Sequence, residues 1–202
     1  VLALRWIDPP TSAFIVRERL LADYPVEHRW TDWADISAHA KTAVIAAEDQ
    51  RFPTHFGFDF HSINQALSER GRGRVRGAST ITQQVAKNLF LWPGQSWIRK
   101  GLEAYFTLLI EICWPKQRIL EVYLNVAEFG RGAFGVGAAS ERFFRKTPAQ
   151  LNAREAALLA AVLPNPKRLR VDAPSNYVRS RQEWIANQMR ALGGSAVLRT
   201  LQ

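Results

Sequence analysis

The stretch "AVIAAEDQRFPTHFGFDF", residues 43–60, runs an apolar Ala-Val-Ile-Ala-Ala segment straight into two carboxylates, Glu48 and Asp49, and then adds Arg51, His55 and Gly57. Read back to residue 36, "ISAHAKTAVIAAED" spaces Ile36, Ala40, Ala43, Val44 and Ala47 at helical intervals. That spacing predicts an amphipathic helix with the acidic pair in its last turn. The helix dipole disfavours exposed carboxylates at that end by roughly 0.3–1 kcal/mol. Glu48 and Asp49 therefore answer some other need. A solvated helix end is one reading, and a catalytic carboxylate with a tuned pKa is the other.

Outward from this helix the pattern stays helical. Asp59 is placed to cap a helix running through Ile63 and Leu67. "ERGRGRVRG", residues 69–77, reads as a mobile basic loop, shorter and less repeated than an RNA-binding Gly-Arg tract. "ASTITQQVAKNLF" offers Ser79 and Thr80 as caps, with capping-box spacing from Thr80 to Gln83. Its apolar stripe is Ile81, Val85 and Leu89, which leaves Gln83, Gln84 and Lys87 on other faces. Residues 97–113 set Ile98, Leu102, Tyr105, Phe106, Leu109 and Cys113 on one face, with Arg99, Lys100 and Glu103 at its edge and beyond. Pro115 opens a helix that Gly130 stops. Thr147 and Gln150 open an Ala/Leu-rich helix ended by Pro164, and a last helix covers about residues 176–192 before Gly193-Gly194. With no strand alternation and no internal repeat, the fold class is mainly α.

A length of 202 residues suits one globular unit, either a single core or a core carrying a smaller lobe. With 47% hydrophobic and 22% charged residues, the composition is ordinary for a folded domain, and disorder is not the default reading. The net charge of +9 seeks anions: nucleic acid, a phosphate-bearing substrate or an acidic membrane face. Cys113 is the sole cysteine, which rules out an intramolecular disulfide and a Cys-rich zinc site. No window of 18 apolar residues occurs. The opening "VLALRWIDPP" reads either as the end of an apolar segment at an interface, with a longer native chain before it, or as an ordinary first turn or strand.

Glu48 and Glu103 lie 55 residues apart on different predicted helices, each beside basic residues: Arg51 for the first, Arg99 and Lys100 for the second. Paired carboxylates serve glycosyl chemistry, in hydrolysis and in transfer, by moving a proton and stabilising charge. Other schemes find no footing. His28, His39, His55 and His61 lack zincin spacing, no Gly-x-Ser-x-Gly elbow or Walker loop occurs, and no serine is followed by Lys three residues on.

Five segments in order, "EDQRFPTHFGFD", "RGASTITQQVAKNLF", "RKGLEAYFTLLIE", "KQRILEVYLNVAEFGRGAFGV" and "REAALLAAVLPNP", resemble the motif set of the peptidoglycan glycosyltransferases over about residues 40–190. Within that family the chain is most similar to the monofunctional enzymes of Gram-negative bacteria. The resemblance implies a lysozyme-like catalytic lobe with a smaller, membrane-proximal jaw lobe. Residues 1–35 would form a membrane-proximal segment and 36–202 the glycosyltransferase domain. It also implies polymerisation of lipid II into β-1,4-linked glycan strands, with inversion and release of polyprenyl diphosphate.

Carried onto this sequence, the resemblance makes Glu48 the general base, a role that an apolar helix end suits by raising its basicity. Asp49 would position the site or bind a divalent cation such as Mg or Mn, or else make a helix-terminal hydrogen bond. Lys87, Arg99 and Lys100 would meet the pyrophosphate, with Ser79, Thr80, Gln83 and Gln84 as donors near a helix start. Glu103 would orient those cations or a metal, while Glu121, Tyr123, Asn125, Arg154 and Glu155 act as structural props. No organic cofactor is implied. Gln95-Ser96 departs from relatives that carry a basic residue there. The implied partners are lipid II, the growing lipid-linked strand, the membrane surface and cell-wall synthesis proteins, not nucleic acid. The implied location is the inner membrane, single-pass, with the catalytic domain on the periplasmic side. The alternative is a muramidase-like lytic enzyme acting on finished glycan, which has little use for the Lys87, Arg99 and Lys100 group.

Overall fold

The structure, a computed structural model, describes residues 1–61, 64, 79–94 and 96–201. Short polar side chains start most of its helices. Ser12 caps α1 (Ala13–Leu21), a helix without a counterpart in the sequence pattern, by accepting from the Ile15 N–H. A two-residue strand β1 (Glu27–His28) follows, and Ser37 caps α2 (Ala38–Glu48) through the Ala40 N–H. Phe60 and His61 are helical directly after Asp59, as expected of a cap; Ile63, Leu67, the basic loop 69–77 and Gln95 fall outside the described residues.

Thr80 and Gln83 form the predicted capping box at the head of α3 (Ile81–Phe90). Then come α4 (Trp97–Cys113) and α5 (Lys116–Val126), the latter led by Pro115. The predicted run to Gly130 is shorter in the structure. After Val126 the chain makes the hairpin strands β2 (Glu128–Gly130) and β3 (Ala133–Phe134) before α6 (Gly135–Phe144). β3 is central, antiparallel to β2 and parallel to β1, with Glu27 opposite Ala133 and His28 opposite Phe134. Gly132 turns this hairpin at φ 76°, and a Cβ there would stand 2.4 Å from the Pro25 carbonyl, so glycine is required twice over. Glycines 130, 132 and 135 share the spacing of a dinucleotide fingerprint but serve this hairpin and the entry to α6.

Thr147 and Gln150 close their box around one 3-10 turn only, because Asn152 and Glu155 open a second box that starts α7 (Ala153–Val162). The last long helix is α8 (Asn176–Ala191), ended by Gly193 and Gly194 at positive φ.

The core is built around α2. Every residue from Ala40 to Ala46 is buried, so the helix is enclosed on nearly all sides instead of presenting one apolar stripe. Small alanines allow this, by letting α7 and α8 approach closely. Lys41 and Thr42 are satisfied within that setting: the Lys41 ammonium sits 4.0 Å from the centre of the Trp33 ring, and the Thr42 hydroxyl donates to Ala38 O.

α4 reverses the sequence expectation. Its apolar positions Ile98 and Tyr105 are 76% and 56% exposed, while Glu103, Thr107, Ile110 and Glu111 are buried. Buried carboxylates are tolerated when they are met by cations and hydrogen-bond donors. Glu111 accepts from the Thr82 hydroxyl at 2.6 Å and pairs with Lys116 at 2.8 Å, and Glu103 pairs with Arg99 and Lys100. Among the described residues no helix is long and apolar enough to cross a membrane.

Candidate active site

The acidic pair sits where the end of α2 meets the beginning of α3. Asp49 leaves the helix with φ −160°, and its Oδ2 accepts from the Ile81 N–H at 3.0 Å. Ile81 is the first residue of α3, so a carboxylate disfavoured at the end of one helix is favoured at the start of the next. Both Asp49 oxygens also accept from His55 Nε2 at 2.9 Å. The Thr80 hydroxyl donates to Gly57 O at 2.6 Å, tying the segment after Asp49 to the same helix start. Gly57 has φ 77°, and a Cβ there would meet Thr107 Cγ2 at 2.8 Å.

Glu48 looks into a different environment. Its side chain is only 13% exposed; Oε2 accepts from Gln84 Nε2 at 2.8 Å and Oε1 lies 3.7 Å from Arg181 Nη2. The Gln84 carbonyl in turn accepts from the Tyr123 hydroxyl at 3.2 Å. Burial pushes the Glu48 carboxyl above its usual range, the Gln84 hydrogen bond and the Arg181 charge pull it back, Asp49 pushes it up and Lys87 pulls it down; the net direction is up. Burial, followed by the Glu48 and Asp49 charges, holds the Tyr123 phenol well above its ordinary value, so it stays a donor.

Cations form the other side. Glu103 Oε2 is 2.8 Å from Arg99 Nη1, and Oε1 is in contact with the Lys100 ammonium. Helical spacing at i+4 and i+3 brings these together, as the sequence suggests. Lys87, half-buried on α3 with its ammonium 5.6 Å from the centre of the Phe14 ring, has no carboxylate within ion-pair distance among the described residues. Burial lowers its proton affinity, Glu103 and Glu48 raise it, and Arg99 and Lys100 lower it. Lys87 thus feels both carboxylates and both neighbouring cations.

Of the sequence-predicted residues, Glu48, Gln84, Lys87, Arg99, Lys100 and Glu103 share this neighbourhood. Thr80 and Gln83 are buried and bonded to one another, and Ser79 is exposed at their edge. Arg51, expected beside Glu48, points elsewhere and lies 3.8 Å from Asp59. Three residues that sequence reasoning did not assign to the site join it: His55, Tyr123 and Arg181. A histidine soon after an acidic pair was visible, but nothing in spacing links Glu48 to a residue 133 positions on.

The family resemblance implies a divalent cation at Asp49 or Glu103. The oxygens of Asp49 are engaged by His55 and a backbone N–H, and those of Glu103 by Arg99 and Lys100. Among the described residues no three His, Cys, Asp or Glu side chains are grouped to hold a metal ion. As arranged, this donor set does not fit a bound divalent cation.

A helical domain that sets a buried, basic carboxylate beside a group of cations has the makings of a glycosyltransferase. Comparison with known proteins supplies the family. The profile described as transglycosylase matches residues 17–190. The chain is 56% identical over 201 residues to the biosynthetic peptidoglycan transglycosylase of Klebsiella oxytoca, covering 96% of this chain and 83% of that one. It is 60% identical over 197 residues to the proteins of the same name from Salmonella agona (strain SL483) and Salmonella typhi, covering 94% of this chain and 81% of each. The chain belongs to the transglycosylase family and is a glycosyltransferase.

Proposed function

We propose that this enzyme polymerises lipid II into β-1,4-linked glycan strands, with Glu48 as general base and inversion at the anomeric carbon. The relatives' names support peptidoglycan as the product. The single observation that carries the rest is the environment of Glu48: a buried carboxylate whose affinity for protons is raised, facing Lys87, which in turn neighbours Arg99 and Lys100.

In the proposed reaction the 4-hydroxyl of incoming lipid II attacks the anomeric carbon at the reducing end of the growing strand. The new O4–C1 bond forms as the bond from C1 to the pyrophosphate oxygen breaks. Glu48 takes the hydroxyl proton, and polyprenyl diphosphate departs with the bonding electrons. The base works best with its proton affinity close to the operating pH, the direction in which burial moves it. Negative charge grows on the leaving oxygen, where Lys87 and the Arg99–Lys100 pair are in place to offset it. Arg99 Nε is buried without a hydrogen-bond partner among the described residues, which leaves one donor unspent. Glu103 holds Arg99 and Lys100 in place, and Gln84 orients Glu48. Gln83 and Thr80 act through the start of α3, whose N-terminal dipole favours anions. Ser79 adds a hydroxyl at its rim.

The same reading takes the enzyme to the bacterial envelope, anchored in the inner membrane with the catalytic domain on the periplasmic side and a jaw lobe against the lipid. The test is incubation of the folded protein with lipid II in detergent, without preformed glycan. Long glycan and free polyprenyl diphosphate are the expected products. Release of soluble fragments from finished glycan, with no polymer from lipid II, would instead identify a lytic enzyme.

A further inference from the structure

We infer that Arg181 is a positioning residue of the reaction, favouring the charged form of Glu48 from beside Oε1 without taking that oxygen at contact distance. The inference rests on reading Glu48 as the base. Arg181 stands on α8, and its Nη2 lies 3.7 Å from Glu48 Oε1, the oxygen that Gln84 leaves untouched. Among the described residues no other cation lies within 4.0 Å of Glu48, and Glu48 is the only carboxylate within that distance of Arg181. The arginine side chain is only 22% exposed, and its Nε is buried with no partner among the described residues. Its charge is therefore not spent on another anion among the described residues.

The geometry contrasts with that of Glu103. There both oxygens are in direct contact with cations, at 2.8 Å for Arg99. A proton arriving on a carboxylate so held must compete with a cation at contact distance. Glu48 is held tightly on Oε2 alone, and its cation stands back from Oε1. Two opposed demands meet at this residue. Burial makes the carboxylate basic, but unchecked burial would keep it protonated and useless as a base. A cation at 3.7 Å favours the charged form without occupying the oxygen.

Arg181 also lines a cavity of about 400 Å3 with Tyr177, Ser180 and Trp184, its neighbours on one face of α8. The other groups facing Glu48 are Asp49 beside it, Gln84 and Lys87 from α3, and Tyr123 from α5. Of the two cations, Lys87 is the one turned to the leaving group in the proposed reaction, which leaves Arg181 to set the charge of the base.

The test is the pH profile of kcat/KM on lipid II for the unmodified enzyme, Arg181→Gln, Arg181→Met and Arg181→Lys, with Glu48→Gln as reference. A base acts when deprotonated, so the rate climbs with pH as it loses its proton. Removing the neighbouring positive charge makes it hold the proton to a higher pH. Arg181→Gln and Arg181→Met are therefore expected to displace the acidic limb upward, lowering the rate about tenfold at a fixed pH on that limb while the alkaline plateau stays within about threefold. Arg181→Lys, which keeps the charge, should restore the limb, and KM should change less than kcat. An unmoved limb, an even loss at every pH, or a tenfold rise in KM with kcat kept would overturn the inference. So would failure of both neutral variants to fold, because Arg181 would then serve the fold alone. A Glu48→Gln enzyme near full rate sinks the base reading itself. An inactive Glu48→Gln beside an unmoved Arg181→Gln profile sinks only the role of Arg181.

Discussion

Glu48→Gln separates the chemistry from everything else that Glu48 does. Glutamine keeps the size of the side chain and can still accept from Gln84 through its carbonyl, in place of the 2.8 Å bond to Oε2. What it loses is the capacity to take a proton. Turnover on lipid II should fall by about 10²–10⁴, or roughly 2.7–5.4 kcal/mol of transition-state stabilisation. Lipid II affinity should change by less than about tenfold, because the lost ion pair with Arg181 is loose, at 3.7 Å. Stability should move the opposite way. Burial raises the Glu48 carboxyl above its ordinary value, so the folded protein keeps this proton to a higher pH than the unfolded chain. The resulting cost to stability is absent below the unfolded pKa, grows as pH rises from there, and is complete above the folded value. Glutamine removes that cost, so Glu48→Gln should melt at the same temperature as the parent near pH 4 and at a higher one near pH 8. Initial rates, equilibrium binding and thermal melts at the two pH values make the assay. A variant that polymerises at near the parental rate refutes the assignment of the base, and one that melts lower at pH 8 refutes the account of its environment.

Lys87→Ala removes charge from a group proposed to meet pyrophosphate in both ground and transition states; it should weaken lipid II binding and turnover together, by about tenfold or more each, with no recovery as pH is raised. Asn125→Leu tests the anchoring of the segment before α2. Asn125 is fully buried and bonds both the N–H and the carbonyl of Thr31, so losing it should cost about 2–5 kcal/mol and lower the melting temperature by about 5–15 °C. The exposed Trp97, Ile98, Tyr105 and Ile112 of α4, with the net charge of +9, should carry the protein down with anionic vesicles at low salt. Protein left wholly in the supernatant would count against that surface, and Trp97→Asp with Ile98→Asp should reduce the sedimented fraction.

The mainly α class was legible because caps and periodicity are local. The Thr80–Gln83 and Thr147–Gln150 boxes both form, and α8 stops at the paired glycines. The inward face of each helix was less so. Periodicity in α4 finds an apolar stripe, yet which side turns inward depends on whether its carboxylates find cations, and Glu103 and Glu111 both do. α2 misleads differently, since alanines on all sides look polar or apolar only by reference to what packs on them. α6 went unread, its sequence "GVGAASERFF" being rich in glycine and backed by no cap hydrogen bond. At the site, the Arg99–Glu103 contact follows from spacing. Gln84 reaching Glu48, Tyr123 reaching Gln84 and Arg181 reaching Glu48 are contacts between distant segments, fixed only by the packing of α3, α5 and α8 around the end of α2.

The two glutamates look alike in the sequence, each ionisable and each near basic residues, and their surroundings divide them. Glu103 is paired twice over: Arg99 and Lys100 each meet one of its oxygens in a buried setting. Its use is structural and electrostatic, as the counter-charge that keeps Arg99 and Lys100 folded against α4. Glu48 has one oxygen on a neutral donor and the other beside a cation that stands off at 3.7 Å, so a proton can arrive there without breaking an ion pair at contact distance. The difference in their contacts is what lets the proposal give proton transfer to Glu48 and the holding of Arg99 and Lys100 to Glu103.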